Sequence, residues 1–305
     1  MTKAGKLSGV LCPVITPFDS NLSPDTDRLI RQCEWLLSQN VGLAVFGTNS
    51  EANSLSVDEK VELLVRLVDA GVDPKRMMPG TGCCALTDTI RLTAHAAKLG
   101  CGGVLMLPPF YYKDVSDDGI YASVAEVIQR VGNDALQIYL YHIPPIAQVG
   151  FSVDLIERLV TDFPDTVVGI KDSSGDWANT QSMLDRQWDD FRVFVGSESF
   201  LLANMQNGGA GCISATANIN PAAIHALFEQ WQTDDAVSMQ SALDSIRATV
   251  ADYPMIPALK ATVAEFSGDD VWRAVRPPLL PLDGERSATL AASLRKKGFE
   301  MPGLS

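Results

Sequence analysis

Apolar residues recur along this chain in short unbroken runs, each followed by a stretch in which apolar positions return every three or four residues. The runs are Val10 to Thr16, Leu43 to Gly47, Met77 to Gly80, Gly103 to Leu107, Gln137 to Tyr141, Val167 to Lys171, Arg192 to Gly196 and Gly211 to Ser214. Runs this short, without apolar and polar alternation, read as strands covered on both faces, as in a parallel sheet. The intervening stretches carry helix punctuation. Ser56 precedes one of them with Glu59 three residues on, the spacing of a capping box, and the stretch from Asp88 to Leu99 stops at Gly100, a C-cap residue. Eight runs alternating with helices predict an α/β fold, a (β/α)8 TIM barrel over residues 1–232. A doubly wound open sheet is the alternative architecture. Beyond that point no strand-like run occurs, and helical patterns at Ala236 to Tyr253, Pro257 to Phe266 and Ser287 to Lys297 predict a C-terminal helical domain over 233–305.

Composition narrows the function. A chain of 305 residues, 46% hydrophobic and 20% charged, has the apolar material for a large core, and its net charge of −13 repels phosphate backbones and anionic membrane surfaces. Neither nucleic acid nor a membrane is an expected partner. No apolar segment follows the basic residues of the N-terminus, and no run approaches membrane-spanning length, so the expected location is the cytoplasm. The six cysteines, Cys12, Cys33, Cys83, Cys84, Cys101 and Cys212, lack CxxC spacing and read as reduced thiols. His95, His142 and His225 share no metal-ligand spacing, so no metal is expected. The stretch Asn207 to Gly211 matches neither nucleotide-loop pattern, and no cofactor is expected.

In a barrel of this kind the chemistry sits at the C-terminal ends of the strands. The sixth run, Val167-Val168-Gly169-Ile170, ends on Lys171. Burial there would disfavour the ammonium and leave a fraction as free amine, the form that attacks a carbonyl carbon to make a Schiff base. The alternative is a lysine whose stem lies on the strand end while its head reaches solvent. The fifth run ends on Tyr141, followed by His142, Ile143, Pro144 and Pro145. Tyr141 lies thirty positions before Lys171, one strand-helix-strand step, which predicts neighbours around the rim. After the second run, Gly47-Thr48-Asn49-Ser50-Glu51 offers hydroxyl, amide and backbone donors suited to a carboxylate, or an ordinary capped turn. A lysine nucleophile, a phenol able to relay protons and a carboxylate pocket together suit 2-oxo acid chemistry.

An ordered series of motifs extends over nearly the whole chain: Thr16-Pro17-Phe18, Gly47 to Glu51, Pro108-Pro109-Phe110-Tyr111-Tyr112, Tyr141-His142-Ile143-Pro144, Gly169-Ile170-Lys171-Asp172 and Gly208 to Ser214. The series resembles the dihydrodipicolinate synthase and N-acetylneuraminate lyase family of class I, Schiff-base aldolases. The resemblance implies that Lys171 forms the imine with pyruvate or a longer 2-oxo acid and that Tyr141 relays protons. It assigns Thr48 and Tyr111 to the hydroxyl relay, the tyrosine coming from the neighbouring subunit of a tight dimer. Thr48 and Asn49 match the pair that holds the pyruvate carboxylate, and Ile213 matches a backbone contact near it. No cofactor beyond the covalent lysine, no metal, and a homotetramer built as a dimer of dimers follow from the same likeness.

The departures bear on substrate. Ser50 stands where the family usually has glycine and Asn49 where it commonly has threonine. Ile146 replaces the arginine with which dihydrodipicolinate synthases hold the second substrate's carboxylate, and an apolar side chain does not replace a bidentate guanidinium. The lyase-like Ser174-Gly175-Asp176 is followed, after the seventh run, by Ser197-Glu198 rather than the lyases' acidic pair. The expected reaction is cleavage or formation of a 2-keto-3-deoxy or 4-hydroxy-2-oxo acid, with an aldehyde as the other product and pyruvate as the common one. Ser173, Ser197, Glu198 and Ile146 would surround a neutral or hydroxylated tail. A dehydratase or a dihydrodipicolinate synthase-type condensing enzyme on the same imine is the nearest alternative, and a non-catalytic binding protein the more distant one.

Overall fold

In the computed structural model, which describes residues 5–304, seven strands are interspersed with the helices along the chain. They are β1 (Gly9–Cys12), β2 (Gly42–Leu43), β3 (Val104–Met106), β4 (Ile138–His142), β5 (Val167–Asp172), β6 (Arg192–Val195) and β7 (Gly211–Ile213). Every position of β1, β3, β4, β5 and β7 is buried, which is why two-residue alternation is missing from the sequence. The expected strand at Met77 to Gly80 is reduced to one parallel bridge between Gly80 and Leu105. Pro79 supplies a carbonyl to Leu105 N–H at 2.9 Å but has no N–H of its own to extend the ladder. The second run also yields a shorter strand than expected, ending at Leu43, and Phe46 at φ 62° then leads into the Gly47 loop.

The chain forms two compact units. The first comprises residues 5–9 and 73–213. Its strands β3, β4, β5, β6 and β7 pair in sequence order, all parallel, and Gly9 N–H donates to the Ala210 carbonyl at 2.7 Å. Tyr139 anchors its interior. The ring is fully buried, its hydroxyl accepts from Leu7 N–H at 2.7 Å, and burial pushes the phenol pKa up. Gly103 and Gly169 make room for that ring: a Cβ on either would approach it within 2.5 and 2.6 Å. The covering helices start at built caps, Ser116 accepting from Gly119 N–H, Ser152 from Leu155 N–H and Asp176 from Ala178 N–H.

The second unit comprises residues 10–72 and 214–304. Here β1 and β2 pair in parallel, with Leu11 opposite Gly42 and Cys12 opposite Leu43. The capping box at Ser56 is formed in both directions, Glu59 N–H donating to Ser56 Oγ at 3.1 Å and Ser56 N–H to Glu59 Oε2 at 2.8 Å. Asn218 ties the loop after β1 to the turn at Ala215, accepting from Ile15 N–H at 2.9 Å and donating to the Pro13 and Ala215 carbonyls. After β7 the described residues hold helices and no strand, among them helices Ala236–Ala251, Met255–Ser267 and Gly284–Lys296. The middle one is buried from Pro257 through Ala264, including Lys260.

Candidate active site

Strand register brings the principal candidates of the first unit together. Parallel pairing of β4 with β5 sets Tyr141 beside Lys171 and His142 beside Asp172. Lys171 is 2% exposed, and its Nζ lies 4.2 Å from the centroid of the Tyr141 ring. The ammonium or amine therefore meets the face of an aromatic, an electrostatically favourable contact that fixes where the side chain points. A solvent-reaching head is excluded by that burial.

The turn that follows Lys171 is braced by its neighbour. Asp172 accepts from Ser174 N–H at 2.9 Å, Asn179 Nδ2 at 3.1 Å and Thr180 Oγ1 at 2.6 Å. Its backbone carbonyl also accepts from Gly196 N–H at 2.6 Å. His142 is held through Nδ1, which accepts from Phe151 N–H at 3.0 Å, and burial lowers its pKa against the opposing charge of Asp172. A neutral ring with its proton on Nε2 satisfies that bond.

The first unit also carries the residues expected near a substrate tail, Ser173, Ser197, Glu198 and Ile146, and Ile213, expected near the carboxylate. Ser173 N–H donates to the His142 carbonyl at 2.7 Å, and its side chain packs so closely on Gly196 that a Cβ there would meet Oγ at 2.0 Å. Ser197 caps the short turn Glu198–Phe200, accepting from Ser199 N–H at 3.2 Å. Glu198 is 1% exposed rather than solvent-facing. Ile213 is buried on β7. Ile146, on the short helix Pro144–Ala147, is 62% exposed.

Tyr111 is 73% exposed and stands edge-on to Tyr112, with ring centroids 5.4 Å apart. Its loop is tied down by Lys113, which donates to the Phe110 carbonyl and, at 2.7 Å, to the Ala147 carbonyl. Neither Lys113 nor Asp172 was singled out from the sequence. Asp172 carried a readable signal, a carboxylate at a buried strand end beside the lysine.

Thr48 and Asn49 belong to the second unit. They occupy a single 3-10 turn, Thr48–Ser50, and both are half-buried. Gly47 N–H donates to Ser50 Oγ at 3.1 Å, and Thr16 Oγ1 donates to the Ser50 carbonyl at 2.7 Å. The hydroxyl of Ser50 thus does local work where the family's glycine has none. Glu51, the next residue, is buried at φ 56° and forms an ion pair with Lys260. Among the described residues no group of three or more His, Cys, Asp or Glu side chains is placed to hold a metal.

A model of the dihydrodipicolinate synthetase family matches residues 6–297. The chain belongs to that family. A DapA-like lyase of Chloroflexus aurantiacus, itself uncharacterised, is 33% identical over 291 residues, 94% of this chain and 96% of its own. The crystal structure of dihydrodipicolinate synthase from Agrobacterium tumefaciens superposes with a TM-score of 0.88 at 30% identity, covering 94% of this chain and 98% of that one. YagE, an E. coli prophage protein of the dihydrodipicolinic acid synthase family crystallised with pyruvate, superposes at 0.85 with 25% identity, covering 96% and 99%. As a dihydrodipicolinate synthetase family member, the chain is an enzyme of the lyase class. Among the described residues no helix is long and apolar enough to cross a membrane.

Proposed function

We propose that this chain is a metal-independent class I lyase that cleaves or forms a 2-keto-3-deoxy or 4-hydroxy-2-oxo acid through a Schiff base on Lys171, with pyruvate as the common product. The observation that carries the reading is the placement of Lys171, buried at the end of β5 with its Nζ 4.2 Å from the ring of Tyr141. The pyruvate seen in YagE and the superposition on a solved synthase support it. The reading takes the architecture as a (β/α)8 barrel over 1–232 with a helical domain over 233–305.

The amine of Lys171 adds to the C2 carbonyl of the acid, and loss of water gives the imine. Thr48 and Asn49 hold the carboxylate, with Ile213 near the same pocket. Breaking the C3–C4 bond sends its electron pair into the imine to form an enamine. The proton of the C4 hydroxyl passes to Tyr141 as the aldehyde leaves. Protonation of the enamine at C3 and hydrolysis release pyruvate and return the lysine. Thr48 and Tyr111 complete the hydroxyl relay, Tyr111 reaching a neighbouring copy in a cytoplasmic homotetramer, a dimer of dimers. Its high exposure on a braced loop supports that role. Ile146 offers no donor to a second carboxylate, and Glu198 repels one, so the aldehyde half carries a neutral or hydroxylated tail.

Incubation with pyruvate and borohydride followed by intact mass tests the mechanism. The expected result is one reduced pyruvate adduct per chain, mapped to Lys171 and missing from Lys171→Met. An unmodified chain would sink the Schiff-base reading.

A further inference from the structure

The turn that carries Thr48 and Asn49 is clamped from behind by a buried ionic group with no counterpart in the chemistry proposed above. Glu51 follows the turn directly. Its Oε1 pairs with Lys260 Nζ, its Oε2 accepts from Arg276 N–H at 2.9 Å, and both side chains of the ion pair have zero exposure. Lys260 is itself fixed from two further directions. It donates to the Ala274 carbonyl at 2.7 Å and lies 4.4 Å from the centroid of the Phe18 ring.

Stability alone does not account for such a pair. Desolvating two charges offsets most of their attraction, and apolar residues of similar volume commonly hold a core as well. What an ion pair adds is a single allowed geometry. Here the geometry is unusual: Glu51 is not glycine, yet it sits in the left-handed region directly after the turn, with its carboxylate buried against Lys260. Thr16 and the Ser50 hydroxyl pin the same turn, so four residues outside the Thr48-Asn49 pair define its path.

We propose that Glu51 and Lys260 are positioning residues for 2-oxo acid binding, acting by holding the Thr48-Asn49 turn in the shape that receives the substrate carboxylate. The inference rests on the functional reading above and deepens it. A loosened turn weakens carboxylate binding before it affects steps at the imine. Its loss therefore registers in half-saturation and not in the rate at saturation.

The test uses the full chain, with Glu51→Gln and the double variant Glu51→Gln/Lys260→Met, the latter removing both charges together. Borohydride trapping is titrated against pyruvate, and cleavage is followed on a keto-deoxy acid. The expected result in folded variants is a rise of roughly tenfold to a hundredfold in the pyruvate concentration for half-maximal trapping and in KM, with kcat within about twofold of the parent. A folded double variant with the parent's half-saturation would overturn the positioning role while leaving the Schiff base intact. Failure of both variants to fold would also overturn it, by assigning the pair to the core alone. No adduct in the parent protein would remove the functional reading, and the inference with it.

Discussion

Lys171 and Lys260 are both deeply buried, one at the end of a strand in the first unit and one in the middle of a helix in the second, and their surroundings differ in kind. Lys260 has its charge answered by the Glu51 carboxylate, with the Ala274 carbonyl taking a further bond. Burial still pushes its pKa down to about 8, against the pull of Glu51. Lys171 meets an aromatic face, which orients the side chain without locking the nitrogen into an ion pair. The first arrangement answers the lysine's charge with a carboxylate; the second sets its nitrogen against a ring. Burial of a lysine therefore says little about its role until the group facing its nitrogen is known.

The sharpest way to break this comparison is to remove each lysine and ask which property falls. Lys171→Met is expected to reduce turnover by about four orders of magnitude or more while leaving the melting temperature equal or higher, because a desolvated polar group is replaced by an apolar one. A large loss of stability with residual turnover would place Lys171 with the structural lysines. Lys260→Met is expected to do the reverse. Leaving Glu51 buried without its partner should cost about 3–5 kcal/mol in urea denaturation, and Glu51→Gln in the same chain should restore most of it. If Lys260→Met were as stable as the parent, the ion pair would not be holding that region.

Both lysines carried the same signal in the sequence, a cationic residue inside an apolar run, at Val168-Gly169-Ile170-Lys171 and at Leu259-Lys260-Ala261. Only the first stood at a predicted strand end, and that placement drew attention to it. Tyr141 was legible for the same reason, since strand-helix-strand spacing predicts a rim neighbour. Glu51 as the partner of Lys260 and Ala147 as that of Lys113 were not, because no strand-helix-strand spacing links those positions, 209 and 34 residues apart. Parallel strands were readable from apolar runs covered on both faces. Their lengths were not, because backbone details decide them: Pro79 lacks the donor that would have extended the ladder at Gly80.

Acid sharpens the comparison further, since the ionic cluster belongs to the second unit. Arg276, whose N–H meets Glu51, bonds Glu59 through its guanidinium at 3.0 Å and holds that carboxyl down at about 2. A carboxyl whose folded pKa lies below its ordinary value contributes stability in full above pH 4.5, and loses it as pH falls through 2. Stability of the parent should thus drop across that window, and Arg276→Met should show a shallower drop. The two slopes, measured by denaturation at fixed pH, would have to coincide for the Glu59 contact to be irrelevant. The effect should be smaller than that of Lys260→Met, because Glu59 is partly solvated and screened.

The smallest expected effect concerns the other unit and the proposed tail residues Ile146 and Glu198. Ile146 is largely exposed on the helix after β4, so an arginine there has room to extend without disturbing the core. Ile146→Arg should leave folding and pyruvate trapping unchanged while improving the ratio of kcat/KM for an anionic-tail aldehyde over a neutral one by roughly tenfold to a hundredfold, the worth of one bidentate contact to a carboxylate. Glu198 works against that gain. On the proposed reading Glu198 faces the same tail, so Ile146→Arg combined with Glu198→Gln should exceed the single change by more than the separate effects predict. An unaltered preference in the double variant would mean that the tail lies elsewhere, and that Ile146 and Glu198 take no part in choosing the aldehyde.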